Sequence, residues 1–193
     1  MRGPFRVAML LLIAGVGLSC QTSGSTAPKQ SIVSVPDLEF SYTPPAGMID
    51  KTSPASVQSR THAASYSSRA TQLLLDISSG ENDTAPDWHH VWIFMLPRAQ
   101  YSNLSDSAAE GKINTALAGP RASLVGQPQS AVLAGRNFLV SEFEQKEPPL
   151  IKHAKIFTTI CKTQLVSFVL VSNSSQQVSA MEESVKTLNF SSH

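Results

Sequence analysis

Apolar and polar residues alternate at several places along the chain, which is the pattern of strands that bury one face. Residues 38–42, LEFSY, alternate in this way and are ended by PPAG. Residues 72–78 (QLLLDIS) and 90–96 (HVWIFML) are short apolar runs that end near Gly and Pro, respectively. The turn-like stretch between them, GENDTAPDW, predicts that these two strands form an antiparallel pair.

Two segments have the 3.6-residue spacing of helices that bury one side. Residues 103–117 place Ala and Ile on one stripe, and a Gly-Pro pair follows them. Ser105 stands where an N-cap side chain accepts hydrogen bonds from free backbone N–H groups. Ser174 or Ser175 is predicted to cap the second helix, which should end near Leu188.

Between these helices the sequence predicts two hairpins. Residues 130–133 and 137–144 flank an Ala-Gly-Arg turn, and residues 155–161 and 164–172 flank a Lys-Thr turn. A Pro-Pro pair at 148–149 separates the two hairpins. On the last strand, Val166, Phe168 and Leu170 should share one face, because side chains alternate along a strand.

Together these elements predict an α+β domain in which two helices pack on a mainly antiparallel sheet. The predicted core consists of apolar positions on the strands and the second helix: Leu38, Phe40, Phe157, Ile160, Val166, Phe168, Val178, Met181, Val185 and Leu188. Residues 50–71 carry many Ser and few large apolar side chains, and we expect an irregular loop there.

Composition narrows the classes of function. Charged residues are 15% of the chain, against about 25% in an average soluble domain. With 15 Lys and Arg against 14 Asp and Glu, the chain is too neutral to bind nucleic acid by neutralising phosphates. At 41% hydrophobic residues it is too apolar to be disordered throughout, and 193 residues suit one sizeable core.

The N-terminus has the pattern of a secretory signal. Arg2 and Arg6 precede an uncharged apolar run, Val7–Leu18, which is shorter than the about 20 residues of a membrane-spanning helix. The alternative, a buried core helix, is disfavoured by the two glycines within the run.

Cys20 stands directly after this signal and before small polar residues, which resembles the lipobox of bacterial lipoproteins. The resemblance implies that Cys20 becomes the first mature residue and carries acyl chains that hold the protein on a membrane. The usual pattern has Leu three residues before the Cys, whereas here Leu18 is two before it. The alternative is ordinary signal-peptidase cleavage nearby. Gln21, rather than Asp, follows the Cys, and by the same resemblance this favours the outer membrane over the inner one.

The chain therefore divides into a signal peptide (1–19), a flexible tether (20–36) and a single domain (37–193). Export permits disulfides, but the chain has only two cysteines, so an acylated Cys20 leaves Cys161 without a partner. Cys161 lies in an apolar stretch and is predicted to be a small buried side chain rather than a reactive thiol.

The order of elements resembles that of PsbP-like domains, which are α/β/α sandwiches. The similar parts are a first strand ending FSYTPPAGM, a mid-chain helix, AGRNF at a hairpin, KIFTTICKTQLVSFVLVS and a closing helix ending SVKTLNF. The same layout is found in predicted bacterial lipoproteins of unknown function. The resemblance covers residues 37–190. It implies an extracytoplasmic accessory role and supplies no catalytic motif.

The sequence contains no GxGxxG, P-loop, CxxC, HExxH or GxSxG motif. His89 and His90 lie near Asp83 and Asp87, but adjacent strand residues point to opposite faces and do not readily share one metal. The pattern favours a polar beginning of a strand. The main metal alternative uses His90 with an acid from a neighbouring strand or from the DTAPD loop.

Two other groups have more than one interpretation. Glu142 and Glu144 should lie on one strand face, a geometry open to a glycosidase, although alternating acids are typical of a solvated face. Trp88, Trp92 and Phe94 suit a ligand surface, although aromatic side chains in strands more often belong to the core.

Two classes of function remain. The sequence favours a non-catalytic envelope lipoprotein that reaches the membrane through its N-terminal lipid and binds a protein or a small ligand. The alternative is an unrecognised extracytoplasmic hydrolase, in one version metal-dependent. No catalytic residue, metal or cofactor is assigned. Convergent acids or histidines in a pocket would favour the hydrolase, and a surface patch without them would favour the binding protein.

We predict that the mature protein begins at an acylated Cys20. Mass spectrometry of its N-terminus should show this modification, and Cys20→Ala should release the protein into the soluble fraction because no acyl chain then holds it on the membrane. An unmodified N-terminus beyond residue 21, or retention of residues 1–19, would contradict the prediction.

Overall fold

The computed structural model describes residues 32–35, 38–52 and 71–190. The predicted signal peptide, Cys20 and most of the predicted loop at 50–71 lie outside the described residues. The strands are β1 (Val33–Val35), β2 (Phe40–Tyr42), β3 (Ile49–Asp50), β4 (Gln72–Ser78), β5 (His89–Pro97), β6 (Ala122–Leu133), β7 (Arg136–Glu147), β8 (Leu150–Cys161), β9 (Gln164–Ser172) and β10 (Asn189–Phe190). The helices are a 3₁₀ turn at Arg98–Tyr101, α1 (Asp106–Ala118) and α2 (Ser175–Val185). No helix of the described part is long and apolar enough to cross a membrane.

Seven strands form one antiparallel sheet in the order β3-β4-β5-β9-β8-β7-β6. The predicted pairing of β4 with β5 and both predicted hairpins are confirmed. β7 and β8 run further than predicted and meet at the Pro-Pro turn, where Glu147 pairs with Leu150. The polar residues of this extension continue the ladder without the apolar alternation by which strands are recognised.

A second, three-stranded sheet has the order β1-β2-β10. β1 pairs with β2 from Val33, opposite Tyr42, to Val35, opposite Phe40. The flexible tether predicted at 20–36 is therefore corrected at its end, because Val33–Val35 is a strand of the folded domain. Short strands of this kind give little periodicity in the sequence.

The small sheet and α2 cover one face of the large sheet, which we call the α2 face. Phe168 of β9 lies at the centre of this layer and is fully buried. Its ring centroid is 5.7 Å from that of Phe40 and 5.8 Å from that of Tyr42, so the two sheets meet through aromatic contacts. Val178, Met181, Val185 and Leu188 belong to the same buried cluster.

Helix α1 covers the opposite face, which we call the α1 face. Ser105 caps the helix as predicted, since its side chain accepts a hydrogen bond from the backbone N–H of Ala108. Ile113 packs into a second apolar cluster with residues of β5, β7, β8 and β9. Beside it, the buried Asn114 side chain donates to Ser141 Oγ at 2.9 Å and accepts from Thr158 Oγ1 at 2.5 Å. These bonds offset the cost of burying an amide under the helix.

The predicted core is confirmed at nine of its ten positions. Val166, Phe168 and Leu170 share the α2 face as expected. Ile160 is the exception: it is only partly buried and packs in the cluster on the α1 face, because it has the opposite parity to Phe157. Cys161 is fully buried, as predicted, and burial raises the pKa of its thiol.

We predict that Phe168→Ala lowers the free energy of unfolding by about 3–5 kcal/mol, because it empties a large site in the centre of the core. Val132→Ala on β6 is the control, since Val132 is 70% exposed and its truncation should cost less than about 0.5 kcal/mol. Denaturant unfolding measures both changes. A loss below about 1 kcal/mol for Phe168→Ala would show that the ring is not in the core.

Candidate functional site

A groove runs along the α2 face between α2 and β6, the last strand of the large sheet in the described residues. It exists because α2 packs on β8 and β9, while β7 and β6 extend beyond it. Two cavities of about 240 and 110 Å³ form the groove, and Lys155 lines both of them. We call this the α2–β6 groove; its lining includes Val125, Gln129, Leu133, Glu142, Glu144, His153, Lys155, Phe157, Ser179 and Glu182.

Strand register brings the charged side chains of the groove together. Val125 of β6 pairs with Glu142 of β7, which pairs with Lys155 of β8. In the next row on the same face, Ser123 pairs with Glu144, which pairs with His153. The prediction that Glu142 and Glu144 share one strand face is confirmed.

Lys155 is the electrostatic centre of the groove. Its Nζ lies 2.9 Å from Glu142 Oε1 and 2.8 Å from Glu182 Oε2, and only 18% of its side chain is exposed. Burial alone lowers the pKa of a lysine, but the hydrogen bonds and charges of the two carboxylates outweigh it, so the pKa of Lys155 is raised. Lys155 therefore stays charged and holds α2 to β7.

A second acid–base pair lies beside this one. His153 Nδ1 is 3.5 Å from Glu144 Oε1, with 24% and 39% of the two side chains exposed. The groove thus holds three carboxylates, one histidine and two lysines, of which Lys186 is paired with Glu183 on the exposed side of α2. Among the acids and lysines of the groove, the balance of charge is negative.

The wall of the groove formed by β6 has a different character. β6 carries no charged residue over its twelve positions, and most of them are exposed. Leu124 and Val125 are 46% and 43% exposed. Native proteins usually protect an edge strand with charges, prolines or bulges. Here Pro128 and an irregular register between Val125 and Gln129 interrupt the middle of β6, which leaves Ala122–Val125 as a neutral, regular edge.

Sequence reasoning missed Lys155 and His153 as members of the same site as the acids. The signal that finds them is hairpin register. Counting back from the turn at residues 148–149 pairs Glu144 with His153 and Glu142 with Lys155, as observed. The contribution of Glu182 was not accessible in this way, because it depends on where α2 docks on the sheet.

His90 lies elsewhere, on the α1 face, at the polar beginning of β5 as predicted. Its side chain is buried there, since it is only 3% exposed and its Nε2 is hydrogen-bonded to Asp76 of β4. Its ring stacks on Trp92 with centroids 4.1 Å apart. Phe94 on the same face of β5 and the preceding Trp88 are buried as well, so this side of the strand belongs to the interior. His89 points to the other side, as expected, and its Nδ1 lies 2.8 Å from the carbonyl oxygen of Asp87.

The aromatic residues that the sequence suggested for a ligand surface lie in or against the core. Trp88 and Phe94 are buried, and Trp92 is partly buried against the α1-face cluster, which agrees with a core role. Within the described ranges, no three His, Cys, Asp or Glu side chains converge on a metal position. In the groove, the side-chain hydrogen bond of Ser179 goes to the backbone oxygen of Ser175 at 3.2 Å, not to His153.

A larger but more open cleft of about 500 Å³ lies at the other end of β6, between α1 and the β6–β7 turn. Burial, reinforced by Asp106 and opposed by Arg98, raises the pKa of Glu110 there to about 7. The charged groups around it already have partners: Asp106 Oδ1 lies 2.9 Å from Arg98, and the Arg136 guanidinium lies 4.6 Å from the ring centre of Phe190. The α2–β6 groove is the better candidate because its charges line an open strand edge.

The fold was compared with solved structures. The chain resembles the cyanobacterial PsbP (CyanoP) of Synechocystis sp. PCC 6803, with a TM-score of 0.54 and 13% identity over 92% of this chain and 100% of that one. LpqN, described as involved in cell envelope biogenesis of Mycobacterium tuberculosis, aligns with a TM-score of 0.49 and 7% identity over 79% of this chain and 83% of LpqN. A protein of Bacteroides thetaiotaomicron VPI-5482 gives 0.42 and 13% over 80% of this chain and 46% of its own.

The similarity to CyanoP confirms the predicted PsbP-like α+β fold. No family model matches the chain, and no curated protein sequence matches it.

We predict that Lys155→Met lowers the free energy of unfolding by about 1–2 kcal/mol at pH 7, because two partly buried carboxylates lose their shared cation. Lys186→Met is the control, since its pair with Glu183 is exposed on both sides and should contribute less than about 0.5 kcal/mol.

The effect of Lys155→Met should also depend on pH. Because the folded-state pKa of Lys155 is raised, its contribution is fully present below the ordinary lysine value of 10.5 and is lost as the pH rises through the folded-state value. Denaturant unfolding of both variants between pH 7 and pH 12 measures this. Equal effects of the two substitutions, or a difference that does not shrink at alkaline pH, would contradict the account of Lys155.

Proposed function

We propose that this protein is a lipid-anchored, extracytoplasmic binding protein of the cell envelope, that its PsbP-like domain is non-catalytic, and that the α2–β6 groove is its binding surface. The observation that carries the proposal is the continuity of the groove with an open, uncharged sheet edge. Exposed apolar and polar surface lies side by side there, which is typical of a site that recognises another molecule.

The contacts inside the groove support binding rather than catalysis. Lys155 is held between Glu142 and Glu182, so it serves as a fixed charge and not as a nucleophile. His153 contacts Glu144, but the described residues place no hydroxyl or thiol within hydrogen-bonding distance of its ring. Acid–base catalysis needs a base within reach of a reacting group, and a nucleophile needs a base beside it.

The location rests on the N-terminal sequence. A signal peptide of residues 1–19, followed directly by Cys20, supports export and acylation, and the tether supports a domain that stands off the membrane surface. Gln21 supports the outer membrane by resemblance to sorted lipoproteins.

Site-specific photocrosslinking in cells tests the proposed binding surface. A photoreactive residue at Ser179, on the exposed rim of the groove, should give a discrete adduct because a partner lies against it. The same residue at Thr115, exposed on α1 at the opposite face, should give none. Glu142→Lys should weaken the adduct at position 179 by changing the charge of the groove.

The result that would sink this proposal is a position-179 adduct no stronger than that at position 115. An adduct at position 179 that Glu142→Lys leaves unchanged would equally remove the groove from the binding surface, since the acid lies within it.

A further inference from the structure

We infer that the occupant of the α2–β6 groove is an extended segment of a partner polypeptide, which adds to β6 as an eighth strand and directs Lys or Arg side chains onto the α2 face. This inference rests on the proposed binding function and names the chemistry of the partner.

The backbone of β6 is the first feature that favours an added strand. A strand at the edge of a sheet carries N–H and C=O groups that are free to pair with a further strand. In the described part of the chain, β6 has β7 on one side and no strand on the other. Its first segment, Ala122–Val125, keeps a regular register with β7 and presents exposed apolar side chains at the edge.

The acidic side chains of β7, next to β6, are the second feature that favours an added strand. On the α2 face, Ser123 and Val125 of β6 lie directly beside Glu144 and Glu142, respectively. Neighbouring strands lie about 4.8 Å apart, so a residue added opposite Val125 lies about 10 Å from the backbone of Glu142. A long basic side chain of the added strand and the Glu142 side chain together span this gap. They meet above Val125, because the Val125 side chain between them is short.

The charge of the groove selects a basic partner. The three carboxylates of the groove outnumber its two lysines, Lys155 and Lys186, and both lysines already have acidic partners. Glu142 is 54% exposed and Glu144 is 39% exposed, so both keep surface on which a second cation can bind. Opposite charges on neighbouring strands stabilise a sheet, whereas like charges destabilise it.

The side chains that β6 directs to the α1 face determine which residues the partner needs between its basic ones. Ala122 and Leu124 point to that face, and Leu124 is 46% exposed. Since side chains alternate along a strand, the segment that fits has basic residues at every second position and apolar residues between them. Such a segment covers Leu124 on one face and neutralises the acids on the other.

Charge also decides against two other occupants. A second copy of this chain, paired through its own β6, brings one cation, Arg121, which is already paired with Glu147 of its own chain at 2.9 Å; residues 122–133 are uncharged. It would also bring the Glu142 and Glu144 side chains of both copies to one interface. An anionic lipid surface would be repelled by the same carboxylates.

Synthetic strand peptides test the inference on the detergent-solubilised full-length protein. The probes are labelled, end-blocked peptides Thr-Val-Lys-Val-Lys-Val-Thr, with Gln or Glu replacing Lys in the matched peptides. Fluorescence anisotropy at low salt measures the dissociation constants. The dissociation constant of the Lys peptide should be at least about fivefold lower than that of the Gln peptide, because two partly exposed ion pairs form. The Glu peptide should bind more weakly than the Gln peptide. Added salt should reduce the difference.

Variants locate the charge effect. Glu142→Gln combined with Glu144→Gln should abolish the preference for Lys over Gln. Glu81→Gln, which removes one exposed carboxylate next to β4 at the opposite side of the large sheet, should preserve it. Amide hydrogen exchange should show that Ala122–Val125 gains protection when the Lys peptide binds, because its outward N–H groups become hydrogen-bonded.

The outcomes separate this inference from the proposed function. Failure of the Lys peptide to bind, equal binding of the Lys and Gln peptides, or protection away from β6 overturns the inference. If a crosslinked partner at Ser179 persists despite such a result, the groove remains a binding surface for a different ligand. If that adduct is also absent, the proposed function fails with it.

Discussion

The structure depends on covering both faces of β8 and β9, whose side chains are apolar on each side. Phe157, Phe168 and Leu170 project to one face, and Ile156, Leu165 and Val169 project to the other. Burial of apolar surface is the main favourable term in folding, so neither face of these strands is stable in water. The chain therefore places α1 on one face, and α2 with the small sheet β1-β2-β10 on the other.

This constraint also explains the groove. The layer on the α2 face covers the strands that are apolar there and extends no further. Beyond it, β7 changes from Phe138 and Val140 to Glu142 and Glu144 on the same face, so no additional cover is required. The seven-stranded sheet is thus wider than the layer that packs on its α2 face. The uncovered part of that face carries the acidic side chains of β7 and ends at the uncharged strand β6.

Much of the domain was predictable from local pattern. The β4–β5 pair, the two hairpins, the Ser105 cap and the Val166-Phe168-Leu170 face each follow from turn residues, capping or alternation within one segment. The features that sequence analysis did not predict depend on contacts between distant segments of the chain. Alternation shows that His90 and Val91 point to opposite faces, but not that both faces are buried, and so the contact of His90 with Asp76 was missed.

The candidate site divides in the same way. Alternation placed Glu142 and Glu144 on one face, and hairpin register was sufficient to add His153 and Lys155. No local signal places Glu182 against Lys155 or leaves β6 at the edge, because these follow from the docking of α2 and from the crossover that pairs β5 with β9.

The central claim is that β6 is an open strand edge next to a covered core. Amide hydrogen exchange of the free protein, resolved residue by residue, tests it most directly. The account predicts that amides of β8 and β9 exchange slowest, while alternate amides of Ala122–Val125 exchange quickly because they point away from β7. Uniform slow exchange along β6, equal to that of β8, would show that the edge is already paired and would contradict the account.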